Sequence, residues 1–246
     1  IGFSQESDKN GKWIDRTYYE GTLIDRAEMI GDKKHGLAES FLDDGRLSSK
    51  CNYVFGEKNG QDSLWSSNGK LYSVTNFTNG KKDGPYKKWG SNGQLKERGH
   101  WETGKRVGSV LTYNKNGKLI YKKVYEEGEE ISTSIYYESG QLFKQLDYEK
   151  WEKESYKEWY TNGQLKQIIQ CTDNKGNGNA KTYYENGELE AKITLSNYRV
   201  KNCVNNKNEK LRCRMTNRDG GWDEIIIIGS EKGRSGEKGS RKKRRN

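Results

Sequence analysis

The chain has 246 residues, of which 30% are hydrophobic, 33% charged and 11% aromatic, with 29 glycines and one proline. So few apolar residues exclude an ordinary globular core, while 7 Trp and 16 Tyr exclude a plainly disordered chain, which lacks aromatics. The formal charge of +10 excludes less than it suggests: residues 231–246 carry eight basic and two acidic side chains, leaving +4 on the other 230 residues, too little for a phosphate-tracking groove.

Residues 1–12 form a polar lead-in that fits no register. From residue 13 to 195 the chain repeats. A glycine recurs at Gly21, Gly45, Gly69, Gly93, Gly117, Gly140, Gly163 and Gly187, spaced 24, 24, 24, 24, 23, 23 and 24 residues apart. Two residues after each stands a leucine, from Leu23 to Leu189, and four residues before seven of them stands an aromatic, from Phe41 to Tyr183. Asn precedes the glycine at Asn68, Asn92, Asn116, Asn162 and Asn186. Asn-Gly between amphipathic runs predicts a type I′ hairpin turn, which needs φ > 0 at both central residues. Segments such as Phe77–Gly84 and Trp101–Gly108, with glycines four apart after an aromatic, predict a longer connection to the next hairpin. Counted in steps of two from the leucine, Tyr53, Phe77, Trp101, Tyr125 and Tyr148 share its face, and polar residues such as Lys96, Arg98 and His100 fill the other. The expected fold is all-β: an elongated antiparallel meander of eight hairpin repeats, about 16 strands, each repeat stabilised chiefly by its neighbours.

The pattern aromatic-x-x-Asn-Gly-x-Leu, then aromatic-x-x-Gly-x-x-x-Gly, resembles the MORN-repeat variant found in bacterial YwqK-type antitoxin-like proteins. The resemblance covers residues 13–195 and implies a protein-binding scaffold. Ser132 and Ser155 replace its second glycine, and Lys150 or Trp151 and Asn174 disturb its first. Those hairpins are expected to carry a different turn.

Residues 196–230 lose the period but keep Val200, Val204, Leu211, Met215 and Trp222, which suits a degenerate repeat or cap over an open sheet edge. Residues 231–246 contain no apolar side chain and are expected to be disordered. Cys51 and Cys171 read as small hydrophobes; Cys203 and Cys213 could be a disulfide or two thiols. The longest aliphatic run, Ile225–Ile228, is far short of the roughly 20 residues of a spanning helix.

No cofactor, metal site or catalytic group is expected. His35 and His100 are the only histidines, no zinc spacing occurs, and Glu126, Glu127, Glu129 and Glu130 fall in a turn segment. The periodic aromatics read as cross-strand pairs that hold the sheet together. Tyr72, Tyr86, Tyr121, Phe143 and Tyr156 lie outside the consensus, so they are the candidate partner or ligand contacts. The expected function is protein–protein interaction, antitoxin-like; nucleic acid is not an expected partner, the basic tail being the only segment that suits it. The alternative is a secreted or surface repeat that binds cell-wall carbohydrate or membrane lipid. Compartment is left open, since the chain starts at Ile1.

Overall fold

A computed structural model describes residues 2–7, 9, 11–149, 152–173, 175–216 and 224–230. The basic tail, Lys150, Trp151 and Asn174 lie outside these residues. The described residues form 21 β-strands and no helix. Backbone proximity divides the chain into two units, Ile1–Gln141 and Leu142–Asn246.

The first unit holds β1 (Gly2–Ser7), β2 (Lys12–Tyr19), β3 (Thr22–Ile30), β4 (Lys33–Phe41), β5 (Leu47–Val54), β6 (Glu57–Lys58), β7 (Gly60–Trp65), β8 (Leu71–Thr78), β9 (Lys81–Trp89), β10 (Leu95–Glu102), β11 (Lys105–Tyr113), β12 (Leu119–Glu126) and β13 (Glu129–Tyr136). Each strand pairs antiparallel with its sequence neighbour, and β5 pairs with both β6 and β7. The polar lead-in is part of this sheet: β1 pairs along β2 from Gly2–Tyr18 to Ser7–Trp13. The second unit is a meander of β14 (Leu142–Glu149), β15 (Glu152–Trp159), β16 (Leu165–Cys171), β17 (Gly178–Tyr183), β18 (Leu189–Ser196) and β19 (Arg199–Asn205). A separate hairpin, β20 (Leu211–Thr216) and β21 (Glu224–Ser230), completes it.

The two turn types are exchanged relative to the expectation from sequence. The Asn-Gly turns are three-residue loops, not type I′ turns. In Gly90–Gln94, Gly90 N donates to Gln94 O (2.9 Å) and Gly93 N to Gly90 O (2.8 Å). Only Gly93 has positive φ (+83°), and Asn92 does not, which is a type I turn closed by a left-handed glycine. The asparagine is selected for its side chain instead. Asn68, Asn92, Asn162 and Asn186 each accept, through Oδ1, the backbone N–H two residues on, at 2.9–3.1 Å. That is an Asx turn. The type I′ turns are those expected to be longer. Phe55-Gly56, Asn79-Gly80, Thr103-Gly104 and Glu127-Gly128 have φ of 48–51° and 76–96° at their two central residues. Turn type follows from how many residues separate the paired strand ends, which periodicity does not reveal.

Ser132 does not change the adjacent turn; it changes the bulge beside it. Arg98 pairs with Leu111 and Glu102 with Lys105, so four steps on β10 face six on β11. Lys122 pairs with Ser134 and Glu126 with Glu129, so four steps face only five at Ser132. Beside Ser155, Gln145 pairs with Lys157 and Glu149 with Glu152, again four facing five. The drop from a 24- to a 23-residue period is one bulge residue lost.

Strand β10 shows the two faces plainly: Leu95, Glu97, Gly99 and Trp101 are half-buried, while Lys96, Arg98, His100 and Glu102 are exposed. A substantial apolar core exists in the second unit. There Tyr156, Ile169, Ala180, Ile193, Leu195 and Cys203 are buried, with Leu211, Cys213, Met215, Ile225 and Ile227 of the β20–β21 hairpin packed on them. A disulfide between Cys203 and Cys213 ties this hairpin to β19.

Candidate functional site

The face shared by leucine and aromatic carries the most organised side-chain array in the first unit. Tyr53, Phe77, Trp101 and Tyr125 each lie across the ladder from a glycine, respectively Gly36, Gly60, Gly84 and Gly108. Those glycines all have positive φ, and lacking a side chain they leave room for the ring. On the next strand a basic residue stands opposite: Tyr53 pairs with Lys58, Phe77 with Lys82 and Trp101 with Arg106. Each cation then reaches over the ring of the following hairpin. Lys34 lies 5.3 Å from the centre of Tyr53, Lys58 5.2 Å from Phe77, Lys82 4.7 Å from Trp101 and Arg106 5.4 Å from Tyr125. Lys34, Lys58, Lys82 and Arg106 are a further series with a period of 24, hidden in the sequence because surface cations look merely solvated. Cation–π contacts contribute about 0.5–1 kcal/mol each at partly exposed sites, so this ladder fastens each hairpin to the next. Glu130 ends it, accepting hydrogen bonds from Lys123 Nζ (2.7 Å) and Tyr125 Oη (3.3 Å).

The candidate contact residues fall into different environments. Tyr72 on β8 is 50% exposed and Tyr121 on β12 is 39% exposed. Phe143 is half-buried with the Lys144 ammonium 4.8 Å from its ring centre. Tyr86 and Tyr156 are each 2% exposed, so the scaffold does demand them and they leave the set of surface contacts. Tyr86 packs against Trp101 (5.7 Å between ring centres), over Gly99, where even a methyl group would meet its ring. Burial and then the nearby Glu97 carboxylate push its phenol pKa up.

Two carboxylates on this face are embedded in polar networks. Glu97 lies 3.1 Å from Lys88 Nζ and 3.9 Å from Arg106. Glu158, 5% exposed, accepts hydrogen bonds from Tyr156 Oη (2.6 Å), Gln167 Nε2 (2.7 Å) and Lys166 Nζ (3.0 Å). Burial alone pushes the Glu158 carboxyl up, but these hydrogen bonds outweigh it and hold it below the ordinary glutamate range. Gln167 completes the network by accepting Ile225 N–H from β21 at 3.2 Å. Burial and the neighbouring Asp62 raise the buried Cys51 thiol to about 11, so it stays protonated and unreactive near neutral pH. Among the described residues no group of three or more His, Cys, Asp or Glu side chains is placed to hold a metal ion. No helix there is long and apolar enough to cross a membrane.

Five segments of the chain match the family model of the MORN repeat variant: residues 82–103, 106–127, 130–150, 155–173 and 177–197. Each match is centred on a three-residue Asn-Gly-type loop, so the recurring unit is the hairpin around that loop. Similarity to solved structures extends to the crystal structure of TcdB2-TccC3-TEV, 11% identical over 91% of this chain and 14% of that one, with a TM-score of 0.23. No match is found among curated proteins.

Proposed function

We propose that this chain, with MORN repeat variants over five segments between residues 82 and 197, is a non-catalytic scaffold that holds a partner protein, in the way an antitoxin holds its target. MORN repeats are in general scaffolds for protein or membrane interaction, and the reading as a holder of one protein is the finer step. The observation that carries it is the division of labour among aromatics. The periodic rings of Tyr53, Phe77, Trp101 and Tyr125 are covered by the cations of neighbouring hairpins, while Tyr72 and Tyr121, which no repeat position requires, are exposed. Large aromatics free of scaffold duty are what protein interfaces use as anchors. Co-purification of the tagged full chain from its source cell tests this. A single protein retained at moderate salt by the native chain, and not by a Tyr72→Glu/Tyr121→Glu variant with the same melting temperature, is the expected result. Failure to retain any protein, or equal retention by both chains, contradicts it.

A further inference from the structure

The early hairpins depart from the later ones at particular slots on the aromatic face. Counting from the turn glycine, Ser49 stands where later hairpins carry Glu97 and Tyr121. Ala38 stands where they carry Tyr86 and Tyr156, and Ser40 where they carry Lys88 and Glu158. Ser40 pairs with Ser49, and Ala38 with both Ala27 and Cys51, so the small residues adjoin across β3, β4 and β5. Where the later hairpins fill their face, this one is hollow. The result is a trough of about 350 Å³ bounded by Asp15, Thr17 and Asp25 at one end and by Lys58, Asp62 and Leu64 at the other. That volume falls within the range of small-molecule sites, about 300–1,000 Å³.

A repeat scaffold has no need of such a hollow: Tyr156, which pairs with Ile169, shows that a tyrosine fits the scaffold at this kind of slot opposite a residue with a side chain. Five of the polar groups that line it are also unspent. Among the described residues, the side chains of Asp15, Thr17, Asp25, Ser40 and Ser49 have no hydrogen-bond or ion-pair partner. Within the lining Asp62 is already paired with Lys58 at 2.7 Å, and elsewhere on this face Glu97 is paired with Lys88 at 3.1 Å.

We propose that the trough between β2 and β7 is a binding site for a saccharide. Its hydroxyl groups would donate to the acceptor-only carboxylates of Asp15 and Asp25 and exchange hydrogen bonds with the hydroxyls of Thr17, Ser40 and Ser49. Ala27 and Ala38 supply a small apolar floor for the C–H face of a sugar ring. The charged residues of the lining nearly cancel, four acidic against three basic, which fits a neutral ligand and disfavours a polyanion. The mostly polar lining disfavours an acyl chain. This inference stands apart from the protein-scaffold reading and survives its failure.

The test titrates the intact chain with maltohexaose, cellohexaose, chitohexaose and mannohexaose, by calorimetry and by NMR shifts of the trough residues. At least one is expected to bind saturably with Kd below about 1 mM and to shift Asp25 and Ser49. In Ser49→Tyr and Ala38→Tyr variants, which give the hollow the bulk found at Tyr121 and Tyr156, affinity is expected to fall at least about tenfold while the melting temperature is kept. No binding by any of the four sugars overturns the proposal. So does equal binding by a filled variant that melts like the native chain, or saturable binding at the trough by spermidine in place of the sugars.

Discussion

Thr103 holds φ at +49° in its type I′ turn, a conformation that a β-branched residue adopts only under strain. Asn tolerates it far better, so Thr103→Asn is expected to stabilise the chain by about 0.5–1 kcal/mol, read as a rise in melting temperature. An unchanged or lowered melting temperature would contradict the turn assignment. Gly93→Val should do the reverse, because φ is +83° there, even though the loop is not type I′. Glu158 makes a prediction about pH. Its folded pKa lies below the unfolded value of about 4.3, so the network's contribution is complete above that value. It drains as the pH falls through the folded pKa. Glu158→Gln should therefore cost stability at pH 7, about 2 kcal/mol, and flatten the loss expected of the native chain as the pH falls below about 4.3. Equal acid sensitivity in both proteins would remove Glu158 from the account. The sequence marked the glycines correctly but not the conformation of their neighbours. Asn92 was read for its tolerance of positive φ, and it is used for its side-chain acceptor.

The hairpin is the scale at which the sequence was most legible. Glycine, leucine and aromatic series place the strands between turns and put Leu95 and Trp101 on one face. What they could not convey is register, because a bulge absorbs residues without disturbing the alternation on either side. The loss of one bulge residue at Ser132 explains the shorter period, yet on sequence it resembled an altered turn. The hairpin β20–β21 was also out of reach. Its apolar residues could signal a cap, but only the fold brings Ile225 into the core cluster that holds Ile169, and Cys213 to Cys203. Closing a loop of 10 residues, this disulfide should stabilise the second unit by about 3 kcal/mol in the chain-entropy model. Reduction by a dithiol, or Cys213→Ser, should lower the denaturant midpoint and speed amide exchange in β18 and β19. Unaltered exchange after complete reduction would show that apolar packing alone holds the hairpin.

Across the whole molecule, regularity and recognition use different residues. Repeated positions are spent on the scaffold: the leucines, the type I′ glycines, and a ladder of cations and rings from Lys34 to Tyr125. Tyr86 and Tyr156 belong with them despite lying outside the consensus, because they occupy one buried slot in two different hairpins. The sequence could not separate them from Tyr72 and Tyr121, since all four break the pattern and only burial distinguishes them. The central claim is that a partner is read by exposed, non-repeating positions on a scaffold that stands without them. Measuring the affinity of the retained protein, beside thermal melts, for Tyr72→Glu/Tyr121→Glu and for Trp101→Ala tests it most directly. The account predicts that the tyrosine variant loses at least about tenfold in affinity with its melting temperature unchanged, while Trp101→Ala lowers the melting temperature. Full affinity in the tyrosine variant, or a fall in its melting temperature that accounts for the lost binding, would contradict it.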